Sequence, residues 1–165
     1  IEDASGDPDD PIYPFELAVE RIEAAVKVKP DTKFLITARA ENFIYGRPDL
    51  DDTIRRLVAF EKAGADVVYA PGLPNIESIR AVCDALSVPV NVVVGLTATT
   101  YSADDLSRAG VKRISTGGSL ARAALGEMIR AAKELREDGT YGYVDRAISD
   151  ADAADQMRVI QRIAK

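Results

Sequence analysis

The sequence predicts an α/β fold of parallel strand–helix units, on three observations. Short apolar runs begin near residues 34, 67, 88 and 111, and an amphipathic stretch follows each of them. The run Val88–Val94 is nearly all β-branched, as a strand covered on both faces should be. Breakers stand between the units, at Gly64, Pro71-Gly72, Gly110 and Gly117-Gly118. This spacing fits either an open doubly wound sheet or part of a (β/α)8 barrel. No Gly-x-Gly-x-x-Gly follows a strand, which weakens a dinucleotide-binding reading. Four complete units are too few to close a barrel.

Taken in order, a Pro- and Asp-rich loop leads into a helix striped by Phe15, Val19, Ile22 and Val26. Phe34–Ala38 is the first complete strand, and a polar segment runs from it to Leu50. Asp51–Ala63 reads as a helix with Ile54, Leu57 and Val58 on one face and Gly64 as its stop. Val67–Ala70 is the second strand. Asn75 then caps a helix whose apolar positions Ile76, Ile79, Cys83 and Leu86 keep helical spacing. After Val88–Val94, Ser102 with Asp105 makes a capping-box pattern for a short helix ending at Gly110. Val111–Ser115 is the fourth strand, and Thr116-Gly117-Gly118 turns into a helix over Ser119–Asp138. Leu120, Ala124, Met128, Ala131 and Leu135 are its expected buried stripe. A last amphipathic helix, Ser149–Lys165, uses Met157, Ile160 and Ala164. The 165 residues suit a single domain.

Composition narrows the chemistry. A hydrophobic share of 47% beside 29% charged residues, with no apolar run near 18 residues, reads as globular, with no membrane partner. The balance of 21 basic against 27 acidic residues argues against a nucleic-acid or anionic-membrane surface. A single cysteine cannot form an internal disulfide and fits a cytoplasmic location. The absence of histidine rules out a Ser-His-Asp triad, a Cys-His pair and a His-ligated zinc site within these residues. Proton transfer falls to carboxylates, Lys, Tyr, Cys83 or water, and an oxygen-lined metal site would suit Mg²⁺ or Mn²⁺. The chain opens Ile1-Glu2-Asp3, without an initiator Met, as though it continues a longer protein.

Working residues of parallel α/β folds lie where strands end. Ile1-Glu2-Asp3 reads as the last residues of an earlier strand, with Glu2 and Asp3 suited to a metal or a base. Arg39 is able to clamp a carboxylate or phosphonate through its fork of donors, or to form a rim ion pair with Glu41 or Asp66. Gly117-Gly118 offers either backbone N–H groups to an anion or simply a tight turn. Cys83 falls on an apolar stripe and reads as packing. The acidic run Asp7, Asp9, Asp10, broken by Pro8 and Pro11, is a solvated loop or a lid over the strand end.

Several short motifs occur in a telling order: Ile1-Glu2-Asp3, Ile36-Thr37-Ala38-Arg39 with Glu41, Ala63-Gly64-Ala65-Asp66, Pro71-Gly72-Leu73, Pro89-Val90-Asn91-Val92 and Gly110-Val111-Lys112-Arg113-Ile114-Ser115. Together they resemble the isocitrate lyase/phosphoenolpyruvate mutase superfamily, from Ile1 to about Gly139. The resemblance implies a (β/α)8 barrel, present here from the end of strand 4 to strand 8 plus C-terminal helices. It implies Mg²⁺-dependent chemistry that makes or breaks a C–C or P–C bond beside a 2-oxo acid, through an enolate. By the same resemblance Glu2 supports the metal, Arg39 holds the substrate's carboxylate or phosphonate, and Asn91 is a polar substrate contact.

The departures from the family pattern shape the expectation. Strands 1 to 3, with the aspartates of the metal site, are not in this sequence, so these residues alone should neither close a barrel nor catalyse. The loop Ala4–Pro11 lacks the Lys-Lys-Cys-Gly-His segment of isocitrate and methylisocitrate lyases, which makes those activities unexpected. Pro71 stands where the phosphomutase has histidine. The expected activity is therefore a Mg²⁺-dependent lyase or decarboxylase acting on a 2-oxo or 2-hydroxy acid. A phosphonomutase and a catalytically inactive fragment are the alternatives. The resemblance also implies a homo-oligomer in which the helix over residues 149–165 is exchanged between subunits.

Overall fold

The computed structural model describes residues 1–95 and 101–163, with side chains described to residue 158. The elements are α1 (Phe15–Lys27), β1 (Thr37–Arg39), α2 (Leu50–Lys62), β2 (Val67–Tyr69), α3 (Ile76–Asp84), β3 (Val90–Val93), α4 (Ala103–Arg108), β4 (Arg113–Ser115), α5 (Ser119–Glu137), a 3-10 turn (Gly142–Arg146) and α6 (Asp150–Ile163). They form two compact units, Ile1–Ser119 and Leu120–Lys165.

In the first unit the four strands are parallel and stand in the order β1-β2-β3-β4. Ile1–Asp3 extends the sheet beyond β1, because Arg39 N–H donates to the Ile1 carbonyl (2.8 Å) and Asp3 N–H to the Arg39 carbonyl (3.2 Å). Strand order thus follows chain order with no reversal. A doubly wound sheet needs a switch point, so the succession is that of a barrel wall. The helices gather on one face. Ala18 and Ile22 of α1, Leu57 and Phe60 of α2 and Val82 of α3 pack with Ala38, Val68 and Val90 from the strands. A smaller cluster joins Ile79, Leu106, Ala109 and Val111.

Local capping and packing signals in the sequence form in the structure. Asn75 accepts from Ser78 N–H at 2.8 Å, and Ser102 with Asp105 forms the full capping box. Cys83 packs against both clusters, and burial pushes its thiol pKa up, as suits an inert core group. Gly110 has φ +98°, and a Cβ there would lie 2.8 Å from the Cys83 Cβ, so only glycine lets α4 turn into β4 this closely.

Two expectations need correction. The first strand starts at Thr37, not Phe34. Asp31 accepts from the N–H groups of Lys33 (2.7 Å) and Phe34 (3.1 Å), which folds that stretch into a turn and leaves Phe34 and Leu35 exposed. The stripe on α5 has the right spacing but is not buried. Leu120 and Met128 are 70% and 63% exposed, and no described residue of α5 is buried. Within the second unit the contacts are polar: Glu127 takes Arg130 and Arg146, and Glu134 takes Thr140 Oγ1 and Gly142 N–H. Met157 of α6 is also exposed, and the expected positions Ile160 and Ala164 lie outside the described side chains.

A buried polar latch fixes the sheet edge to the helices. Arg56 of α2 donates through Nε to Asp52 (2.8 Å) and through Nη1 to the Tyr13 carbonyl (3.1 Å) and to Asp3 Oδ2 (3.2 Å). The other Asp3 oxygen accepts from Glu41 N–H at 2.8 Å. Burial pushes the Asp3 pKa up against these donors. Burial also raises Asp52, but hydrogen bonds from Arg56, Arg55 and Asn42 outweigh it and hold that carboxyl at about 2.

Arg56→Met leaves Asp3 buried without a counter-charge and should cost about 3–5 kcal/mol in urea unfolding. Asp52 titrates in the folded state below its ordinary 3.8, so its contribution is complete above pH 3.8 and is lost as pH falls through about 2. Asp52→Asn should therefore lose about 2 kcal/mol at neutral pH and flatten the acid limb of a stability–pH curve.

Candidate active site

Strand register brings five residues to one level. Glu2 lies opposite Arg39, Arg39 opposite Tyr69, Tyr69 opposite Asn91, and Asn91 opposite Arg113. Ala38 and Val68, one residue earlier, enter the helix-side core, as does Val90. Side chains alternate along a strand, so the row faces the opposite side of the sheet, the interior side of a barrel wall.

Arg39 is held from two directions. Its Nε donates to Glu41 Oε1 at 2.6 Å, and its Nη1 lies 3.1 Å from Glu2 Oε2. Its guanidinium also lies 4.8 Å from the centroid of the Tyr69 ring. Glu41 is 1% exposed, and burial pushes its pKa up while Arg39 pulls it down. Of the two rim partners the sequence allowed, Glu41 takes Arg39, and Asp66 pairs instead with Lys29 at 2.7 Å.

Asn91 is 1% exposed and its amide is engaged at both ends. Nδ2 donates to Ser115 Oγ (3.0 Å), and Oδ1 accepts from Arg113 Nη1 (3.4 Å). Tyr69 and Arg113 escaped the sequence reading, one as an apolar strand residue and the other as an unremarked part of a motif. Aligning the four apolar runs by register would have found both.

The acidic loop closes on itself. Ala4 pairs with Ile12, Ser5 N–H donates to the Pro11 carbonyl (2.9 Å), and Asp9 N–H donates to Asp7 Oδ1 (2.9 Å). Asp10 reaches Arg47, in the segment after β1, through an exposed ion pair of 3.2 Å. Around Gly117-Gly118 the Thr116 carbonyl accepts from Ser119 N–H (3.0 Å), the expected tight turn. Glu2 is half exposed and pairs with Arg39, whereas Asp3 is committed to Arg56 and Glu41 to Arg39. Among the described residues no three carboxylates or thiols come together as a metal centre. This set alone does not fit Mg²⁺.

Residues 1–136 match the model of the phosphoenolpyruvate phosphomutase family. The chain belongs to that family. The oxaloacetate decarboxylase of Paraburkholderia xenovorans (strain LB400) is 37% identical over 76 residues, covering 46% of this chain and 25% of that protein. The 2-methylisocitrate lyase of Escherichia coli (strain K12) is 32% identical over 139 residues, covering 81% and 45%. The lyase/mutase-type protein of Burkholderia cenocepacia J2315 superposes with a TM-score of 0.90 at 51% identity, over 95% of this chain and 57% of that one. Phosphonopyruvate hydrolase, solved with oxalate and Mg²⁺, shares the fold with a TM-score of 0.77 at 24% identity, over 99% and 59%. The chain thus spans less than half the length of these curated relatives, and its sheet is a partial (β/α)8 barrel of the phosphoenolpyruvate phosphomutase type.

Asn91→Ala removes the shared partner of Ser115 and Arg113 from a buried position. A loss of about 1–3 kcal/mol in denaturant unfolding is expected.

Proposed function

We propose that the complete barrel is a Mg²⁺-dependent lyase that cleaves a C–C bond, or removes CO₂, beside the carbonyl of a small 2-oxo or 2-hydroxy acid. The observation that carries this reading is Arg39, a fork of donors at a strand end, held between Glu2 and Glu41 on the interior face. Relatives that act as an oxaloacetate decarboxylase and a 2-methylisocitrate lyase support the reaction class. Loss of CO₂ from an oxo acid leaves the bond's electron pair on the carbon beside the carbonyl, as an enolate. A guanidinium that grips the adjacent carboxylate keeps the acid aligned and offsets charge as the enolate forms.

Mg²⁺ belongs to this family's chemistry, as the phosphonopyruvate hydrolase complex illustrates. In this reading Glu2 would support the ion, and the remaining ligands would come from other parts of a complete barrel. Asn91 orients its neighbours from beneath the site, and the loop carrying Asp7, Asp9 and Asp10 gates it. We assign the enzyme to the cytoplasm as a homo-oligomer, with the C-terminal helix exchanged between subunits. Residues 1–165 alone are expected to be an inactive fragment.

A phosphonomutase is the second reading, favoured by the family match and by the equal fit of the Arg39 fork to a phosphonate. Phosphorus NMR separates the two: a P–C resonance growing from phosphoenolpyruvate, or a P–O ester resonance growing from phosphonopyruvate, marks the mutase, and pyruvate release from oxaloacetate with both phosphorus spectra unchanged marks the lyase. In the complete protein, Arg39→Ala should cost about 3–4 kcal/mol in kcat/KM for oxaloacetate, and an unchanged rate would overturn the assignment.

A further inference from the structure

Cleavage beside a carbonyl leaves an electron pair on carbon, and a proton has to reach that carbon before a stable product leaves. Few groups of the described site are able to give one. The sequence has no histidine. Asp3 is tied to Arg56, while Glu2 and Glu41 both pair with Arg39. A carboxylate held ionised by a guanidinium is an acceptor only, and a guanidinium does not give up its proton. Cys83 packs in the helix-side clusters. Ser115 Oγ takes the Asn91 Nδ2 hydrogen bond (3.0 Å), and an aliphatic hydroxyl is a far weaker acid than a phenol. In the row itself, Tyr69 is the one neutral O–H acid.

Its placement suits that task. β2 is the middle strand of the wall, with β1 and the Ile1–Asp3 segment on one side and β3 and β4 on the other. The neighbours of Tyr69 along the sheet are therefore all in place. The ring is 8% exposed and lies under the Arg39 guanidinium, 4.8 Å from its centroid. An acid gripped by the Arg39 fork is thereby brought to the phenol. Among the described residues no hydrogen bond engages the Tyr69 hydroxyl, and Asn42 Oδ1 is the one buried side-chain polar atom left without a partner. The phenol oxygen is thus not sealed in, and a molecule on the interior side is able to reach it. Burial pushes the Tyr69 pKa up, so the phenol keeps its proton at neutral pH, while the nearby Arg39 charge favours the phenolate once the proton has gone.

We propose that the Tyr69 hydroxyl is the acid that protonates the carbon released by C–C cleavage. This rests on the lyase reading and adds a catalytic residue to it. The carbon–carbon double-bond pair of the enolate takes the phenol proton as a new C–H bond, and the enolate oxygen re-forms the carbonyl. The O–H electron pair stays on the phenolate, and a proton from solvent restores the phenol. One proton is consumed for each CO₂ released. Negative charge passes from the substrate to a ring already under Arg39, so one guanidinium offsets it before and after the transfer.

The test uses the complete barrel protein and two readouts: CO₂ release from oxaloacetate, and exchange of the pyruvate methyl protons in heavy water, followed by proton NMR. Exchange is the proton transfer run backwards and forwards without cleavage. Tyr69→Phe keeps the ring under Arg39 and should slow exchange by ~100-fold or more, the scale of a lost general acid, while CO₂ release stays within ~10-fold. Tyr69→3-fluorotyrosine keeps ring and hydroxyl but makes the phenol more acidic. Because exchange begins on the phenolate, its rise with pH should move to lower pH in that variant, and this decides the matter if the Phe variant does not fold. Unchanged exchange in Tyr69→Phe, equal losses in both readouts, or an unmoved pH profile would overturn the proposal. So would CO₂ release without any exchange by the unmodified protein, which would place the proton transfer in solution. Failure of the lyase reading has a separate signature: the unmodified protein neither releases CO₂ nor exchanges pyruvate, and the role of Tyr69 falls with it.

Discussion

The buried pair of Asp3 and Arg56 is the constraint on which the rest of the first unit depends. One carboxylate joins three pieces of chain: the edge segment Ile1–Asp3, the segment after β1 through Glu41 N–H, and α2 through Arg56. Arg56 adds the Tyr13 carbonyl, so the loop returning from the acidic run is tied to the same point. Burying two opposite charges brings little net stability, because desolvation offsets most of their attraction. What the pair supplies is position. Glu41 cannot shift without releasing Asp3, and Arg39 cannot shift without releasing Glu41. The orientation of the candidate substrate clamp is thereby set from the helix side of the sheet.

The balance of charge along the interior face follows from that arrangement. At the Arg39 end, two carboxylates meet one guanidinium, and one of them, Glu41, is held almost out of contact with water. At the Arg113 end, the hydrogen-bond partner is the neutral Asn91 amide. The row therefore runs from an acidic to a basic end across a phenol. A polarised wall of this kind orients a charged molecule before any contact becomes close.

What the sequence made legible was local or repeated. The capping box at Ser102 and Asp105, the Asn75 cap and the packing role of Cys83 depend on residues within a few positions, and each formed as expected. The family motifs located Arg39 and Glu2 at adjoining strand ends because they are spelled out in order. Arg56 was invisible for the opposite reason. On a helix face it resembles any solvated arginine, and only Asp3, 53 positions away, makes it a buried residue. Arg113 and Tyr69 needed strand register, which no single run contains. The α5 stripe shows a further limit: periodicity marks a face able to be buried, while burial itself depends on what lies against it.

The stacking of Arg39 on Tyr69 gives the site an intrinsic optical reporter. The sequence has six tyrosines and no tryptophan, and of the six only Tyr69 is buried. A phenol fixed between asymmetric neighbours dominates near-ultraviolet circular dichroism, while mobile surface phenols contribute weakly. Any small acid that draws the guanidinium off the ring changes the field at that chromophore. Occupancy of the clamp is then readable as a spectral change, without a label and without turnover.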